Sequence, residues 1–80
     1  MKNYVLVYIA IPVDSDSPNS SYRPALSKLE DLELKGAGSM RLSENCWLLE
    51  RESDVSSLAR IVSTCEGFRL GCGVRFLSES

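Results

Sequence analysis

The hydrophobic pattern of the chain opens with a continuous apolar run that predicts a central strand. Residues 4–11 are β-branched, aliphatic or aromatic, and Pro12 ends the run. Both faces of this segment are apolar, which is typical of a strand in the middle of a sheet. The next segment, residues 14–20, is rich in Ser, Asp and Pro and predicts a polar loop.

Two later segments have the hydrophobic period of a helix. From Ser21, apolar residues recur at i, i+3, i+4, i+7 and i+10, which predicts a first helix over residues 21–32, stopped by Gly36 and Gly38. Ser53 or Asp54 can cap a second helix that ends at Gly67. The apolar stripe of this second helix comprises Val55, Leu58, Ala59, Val62 and Cys65.

Three further segments predict strands. Residues 39–42 and 46–50 are short extended candidates, and the polar residues between them suit a hairpin. From Phe68 to Phe76, apolar residues alternate with Arg and Gly, which predicts a strand with one apolar face. The order of elements predicts a single ferredoxin-like α+β domain over residues 1–80. Its βαββαβ chain would form a four-stranded antiparallel sheet with both helices on one face.

Composition excludes several kinds of chemistry. The 80 residues carry a formal charge of −2 and include no histidine. Imidazole bases, Ser-His or Cys-His nucleophile systems and His-bearing zinc sites are therefore excluded. Because the chain is acidic and has no basic tail, we do not expect direct nucleic-acid binding. We expect no cofactor and no membrane span, and the inventory favours a non-catalytic protein.

The three cysteines form neither a paired framework nor a Cys-x-x-Cys motif. The simplest interpretation is reduced thiols in a cytoplasmic protein. Cys46, Cys65 and Cys72 each lie in an apolar pattern, which predicts burial. An intermolecular disulfide through Cys65 or Cys72 stays open as an alternative.

Two helices cover only one face of a four-stranded sheet, so the other face must meet water or a partner. If alternate residues from Val5 to Ile9 point at the helices, then Tyr4, Leu6 and Tyr8 point to the opposite side. An exposed aromatic and aliphatic patch of this kind usually marks an interaction surface. The alternative is that a loop or the C-terminal segment of the chain itself folds over it.

The neighbouring strand can enlarge this surface in either of two ways. In one phase Trp47 and Leu49 join the open face, and we include both as candidate interface residues. In the other phase Cys46 and Leu48 are the outward pair.

Several occupants of the open face can be compared. RNA bases are disfavoured, because Gly71 and Gly73 stand where the stacking aromatics of an RNA-recognition motif would be. An identical sheet would give a homodimer, and a foreign protein is the other occupant. Arg69 and Arg75 project from one side of the predicted last strand and could pair with carboxylates across an interface, although exposed arginines are the default.

The chain resembles a known family in four segments: residues 5–8, 21–32, 41–49 and 53–60. The segment Arg41 to Leu49, a hydrophobic hairpin with a Trp, carries most of the resemblance. It is similar to the ferredoxin-like CRISPR adaptation subunit (the Cas-two family) and its VapD and SinR-like relatives. That resemblance implies a homodimer. Several members are metal-dependent nucleases, whose essential aspartate directly follows a tyrosine at the end of the first strand.

The position that corresponds to that aspartate is occupied here by Ile9, which follows Tyr8. A hydrocarbon cannot hold a divalent cation, so the catalytic implication of the resemblance is lost. Asp14 and Asp16, with Asp-x-Asp spacing in the next loop, are weak candidates to replace it. If these two aspartates bind a metal ion, the protein is a divergent metal-dependent nuclease, which is the alternative function. If they do not, the segment is a plain polar loop.

An acidic cluster, Glu30, Asp31 and Glu33, is predicted near the end of the first helix. Such clusters are usually solvated faces, but acidic surfaces can also imitate nucleic-acid phosphate. The sequence thus predicts a small protein-binding module that dimerises through its open sheet. We expect its partner to be a larger protein or nucleoprotein complex, with the module acting as a phage-type inhibitor of a CRISPR-like bacterial defence complex.

Overall fold

The computed structural model describes residues 3–78 and confirms the ferredoxin-like α+β fold. The four strands form one antiparallel sheet in the order β2-β3-β1-β4, so that β2 and β4 are its edges. The elements are β1 (Asn3–Ile9), α1 (Tyr22–Lys28), β2 (Met40–Ser43), β3 (Cys46–Glu50), α2 (Val55–Gly67) and β4 (Cys72–Ser78).

The hydrophobic core lies between the two helices and the central strands. Val5, Val7 and Ile9 of β1 are buried and face the helices. In an antiparallel pair, residues directly opposite one another share a face. Because Val7 lies opposite Trp47 and Val5 lies opposite Leu49, both β3 side chains also enter the core.

The first helix is shorter than the hydrophobic pattern predicts. It ends at Lys28, and the predicted extension to Leu32 is wrong. The chain continues in turns with i to i−3 hydrogen bonds, from Leu29 N–H to Leu26 O and from Leu32 N–H to Leu29 O. These tighter turns still bury Leu29 and bring Leu32 against the core.

The buried stripe of α2 is rotated relative to the predicted one. Ser57, Ile61 and Cys65 are buried, and Leu58 of the predicted stripe is half-buried against the core, whereas Val55 and Ala59 are exposed. The start of the helix explains the rotation. Buried Asp54 precedes Ser57 by three residues and Ile61 by seven, so all lie on one helical face.

The Asp54 carboxylate fixes the start of α2 to the loop after α1. It accepts backbone hydrogen bonds from Lys35 N–H at 2.7 Å and Gly36 N–H at 2.8 Å, and a third from the Ser39 hydroxyl. Burial by itself raises the pKa of Asp54, but these bonds and one from Ser57 favour the charged form and hold the pKa below its usual value. Gly36, which the sequence predicts only as a helix stop, therefore also donates its backbone N–H to this carboxylate.

The end of α2 is a Schellman turn, which returns the chain toward the sheet. Arg69 N–H donates to Glu66 O at 3.1 Å, and Leu70 N–H donates to Cys65 O at 2.8 Å. Arg69 has a positive φ of 58°, in the position that usually holds glycine. The last strand consequently begins at Cys72 rather than at Phe68 as predicted, since the turn occupies the residues between.

Within residues 3–78, no helix is long and apolar enough to cross a bilayer.

Candidate interaction surface

The sheet face turned away from the helices carries Tyr4, Leu6 and Tyr8 of β1. Tyr8 is 43% exposed, and Tyr4 and Leu6 are half-buried. The register places Leu48 opposite Leu6, which puts it on the same face. Apolar side chains from adjacent strands thus adjoin across this surface, which we call the open face.

The open face extends to both edges of the sheet. On β2, Met40 lies opposite Leu48 and is 51% exposed. On β4, Leu77 lies opposite Tyr4 and is also exposed. All four strands therefore contribute an apolar side chain to one continuous surface.

Glycine at position 73 allows the Tyr8 ring to lie flat against the sheet. Gly73 is the residue opposite Tyr8, and a Cβ atom at this position would overlap the Tyr8 ring. The ring therefore covers the backbone of the edge strand in place of a side chain. One side of the ring is packed by protein, and the other side is available to a partner.

The loop after α1 covers the opposite end of the open face. Gly38 lies against the Tyr4 ring, and Gly38 N–H donates to the Glu50 carboxylate on β3. This contact leaves Tyr4 half-buried while Tyr8 stays exposed. This loop thus covers the Tyr4 end of the face but not the Tyr8 end.

The prediction that Trp47 and Leu49 join the open face is wrong. Both are at most 1% exposed and belong to the core, because their β1 partners face the helices. The other phase is the one observed, with Cys46 and Leu48 on the open face, both half-buried.

The two candidate interface arginines do not project from one side of a strand. Arg69 lies in the Schellman turn before β4. Arg75 is on β4 opposite Leu6, so it lies on the open face and is exposed. Of the pair, only Arg75 can meet a partner seated on this face.

The acidic cluster follows α1 instead of forming its last turn. Asp31 pairs with Arg60 of α2, and Glu30 lies 3.5 Å from the Arg41 guanidinium. The hydrogen bond from Arg60, together with its positive charge, lowers the pKa of the exposed Asp31 carboxyl. Two of the three acidic residues thus lie beside an arginine, which weakens the likeness of the cluster to a row of phosphates. The third, Glu33, is exposed.

Asp14 and Asp16 are exposed in a turn between β1 and α1. Ser17 N–H donates to Asp14 O at 2.8 Å, a backbone bond that leaves the carboxylate uninvolved. Within residues 3–78, no three carboxylate, thiol or imidazole groups gather where they could hold a metal ion. The structure therefore brings no third ligand to this pair.

Sequence reasoning missed a second apolar surface, on the helix side of β4. Val74 is 40% exposed and Phe76 is 61% exposed, although both face the same side as the buried residues of β1. The Arg51 guanidinium lies 4.9 Å from the centre of the Phe76 ring. The alternation of β4 signals this apolar face, but not that it is uncovered.

Comparison with protein-family models, curated proteins and solved structures finds no match to this chain. The resemblance to the CRISPR adaptation subunit group therefore stays a prediction.

Proposed function

We propose that this protein is a small non-catalytic binding module whose open face associates with a second copy of the chain. The observation that carries the proposal is the exposed apolar surface spanning all four strands, with Tyr8, Met40 and Leu77 at its accessible points. A twofold axis through this face would place each patch against the same patch of the other copy.

The size of the open face predicts a weak dimer. Four strands spaced about 4.8 Å apart, with up to seven residues each, give a face of about 19 by 23 Å. The flat projection of this face is roughly 400 Å² per protomer, so the accessible area that it can bury is at the small end of the range for specific interfaces. We expect dimerisation that depends on protein concentration in the micromolar range.

The partner that we propose for the module is a larger protein or nucleoprotein complex of a CRISPR-like defence system, which the module inhibits in a phage-infected or prokaryotic cytoplasm. The resemblance described above supports this context. Because the dimer is weak, the open face can release its second copy and bind such a partner through apolar contacts. The acidic cluster has less support as a binding surface, since Glu30 and Asp31 each pair with an arginine.

The test of the dimer is light scattering and sedimentation equilibrium of the full chain across micromolar concentrations. We expect the wild type to be dimeric at the upper end and Tyr8→Glu to be monomeric, because a buried unpaired carboxylate opposes association. Leu6→Glu is a second disrupting variant, nearer the centre of the face.

Val55→Glu is the matched control. Val55 is also an exposed apolar residue, but it lies on α2, on the far side of the sheet from the open face. This variant should dimerise as the wild type does, and circular dichroism should show that all variants fold. A monomeric wild type, or equal loss of dimer in Val55→Glu, would refute association through the open face.

A further inference from the structure

Two of the three cysteines lie between α2 and β4. Cys65 is on the buried face of α2 and belongs to the core. Cys72 is the first residue of β4, opposite Ile9, so it lies on the helix side of the sheet. One thiol is buried, and the other belongs to an exposed residue.

The Schellman turn after α2 brings these cysteines together. The Leu70 N–H bond to Cys65 O folds the chain back beneath the last turn of the helix, and Leu70 packs against the core. The strand that starts two residues later therefore begins near the end of α2, with its first residue, Cys72, on the helix side of the sheet. The turn is fixed by its own backbone hydrogen bonds, so the proximity does not require a rearrangement of the chain.

The side chains of the pair lie beside the same core residue. Cys65 belongs to the core cluster that contains Ile9, and Cys72 is the residue opposite Ile9 on the same side of the sheet. Burial, with a smaller contribution from Cys72, raises the pKa of Cys65 to about 11. The exposed member of the pair is therefore the one that reagents in solution reach first.

We propose that Cys65 and Cys72 form an intramolecular disulfide when the protein meets a small-molecule disulfide such as oxidised glutathione. The Cys72 thiolate attacks one sulfur of the oxidant, forms a mixed disulfide and releases one glutathione thiolate, which takes up a proton. Cys65 then loses its proton to solvent and attacks Cys72 Sγ, which forms the Cys65–Cys72 bond and expels the second glutathione. The protein loses two electrons and two protons, and the oxidant gains them.

Cys46 cannot take part in this reaction within one chain. It lies opposite Tyr8 on the open face, on the other side of the sheet from Cys65 and Cys72. It is also half-buried, so it provides an internal reference thiol.

The experiment exposes the full chain to glutathione buffers of increasing oxidised fraction, then alkylates the free thiols and measures the intact mass. We expect the wild type to lose two hydrogens and keep one alkylatable thiol, and Cys46→Ser to lose two hydrogens and keep none. Cys72→Ser should form no internal disulfide. Because Cys72 is exposed, this variant tests the pair without disturbing the core.

Two further measurements separate the proposal from simple thiol modification. The oxidised protein should melt at least about 4 °C higher than the reduced protein, since the bond ties α2 to β4. Conversion of the mixed disulfide should accelerate as pH rises from neutral toward the Cys65 pKa. A lasting glutathione adduct on Cys72, or covalent dimers joined through Cys72, would overturn the proposal.

Discussion

Strands β1 and β4 lie side by side and present apolar side chains to the same side of the sheet, but only those of β1 are buried. Val5 lies opposite Phe76 and Val7 lies opposite Val74. The two β1 residues are at most 1% exposed, whereas their β4 partners are among the exposed large hydrophobic residues. Apolar residues that lie side by side on the two strands are thus buried on β1 and exposed to solvent on β4.

The position of the helices explains this difference. Helix α2 packs on α1 and β1, and its Val55 and Ala59 side chains are exposed. Among the described elements neither helix packs along β4, so the helical layer covers the centre of the sheet and leaves most of β4 open. Alternation in a strand therefore identifies its apolar face, while the extent of the opposing layer decides whether that face is buried.

The sharpest test of this comparison replaces one aromatic residue from each region. Trp47→Ala removes the largest buried side chain of the covered region and should lower the free energy of unfolding by about 3–5 kcal/mol. Phe76→Ala is the matched variant on the uncovered strand and should cost about 1 kcal/mol or less, since the ring is mostly in water and Arg51 gives only a weak contact.

Urea unfolding followed by circular dichroism measures both values. Equal losses in the two variants would show that β4 is covered in solution, and would contradict the contrast between the strands.

A smaller effect should follow from releasing the start of α2. Asp54→Asn replaces a carboxylate oxygen by an amide NH2 that faces other donors, among them Lys35 N–H and Gly36 N–H. We expect a loss of about 2–3 kcal/mol, because buried charge-assisted hydrogen bonds are lost and donors are left unpaired. Hydrogen exchange should then show β1 amides becoming less protected, as α2 covers them less firmly.

The same variant should alter the dependence of stability on pH. Because the pKa of folded Asp54 is below its ordinary value of 3.8, its contribution is present above about pH 4 and is lost as pH falls through the folded pKa. The gap between wild type and Asp54→Asn should therefore narrow in acid. Asp31→Asn is the comparison variant, since that carboxyl also has a lowered pKa but pairs with Arg60 of α2 in full contact with water, so its effect should be smaller.

The smallest expected effect concerns the turn that connects the covered helix to the uncovered strand. Arg69→Gly removes the cost of holding a residue with a Cβ atom at φ 58° and should raise stability by about 0.5–1 kcal/mol. Thermal unfolding should show a rise in Tm of a few degrees. A lower Tm would mean that the Arg69 side chain stabilises the turn by a contact stronger than this strain.

The order of elements could be predicted because each element carries its own periodicity. The run from Tyr4 to Ile11 and the alternation toward Phe76 locate the first and last strands without any knowledge of their neighbours. The phase of β3 could not be predicted, since Trp47 and Leu48 are both apolar. Only pairing with β1, far away in the sequence, selects Trp47 for the core.

The rotation of α2 and the start of β4 could not be predicted either. Asp54 reads locally as a helix cap, but its partners lie 18 and 19 residues away in the loop after α1. Those partners set the rotation of α2, and so decide that Ser57 is buried while Val55 is exposed. The left-handed position of the Schellman turn usually holds a glycine, but here it holds Arg69. The sequence therefore does not reveal the turn, and the predicted start of β4 is too early.

The placement of β4 at the border of the sheet has a consequence for how the protein behaves when it is concentrated. The strand has apolar groups above and below it and an outer row of backbone donors and acceptors, which together make a template for fibril growth. Arg75 stands in the middle of the strand. Stacked copies would bring these guanidinium charges together, so we expect Arg75 to oppose the addition of further copies at this edge.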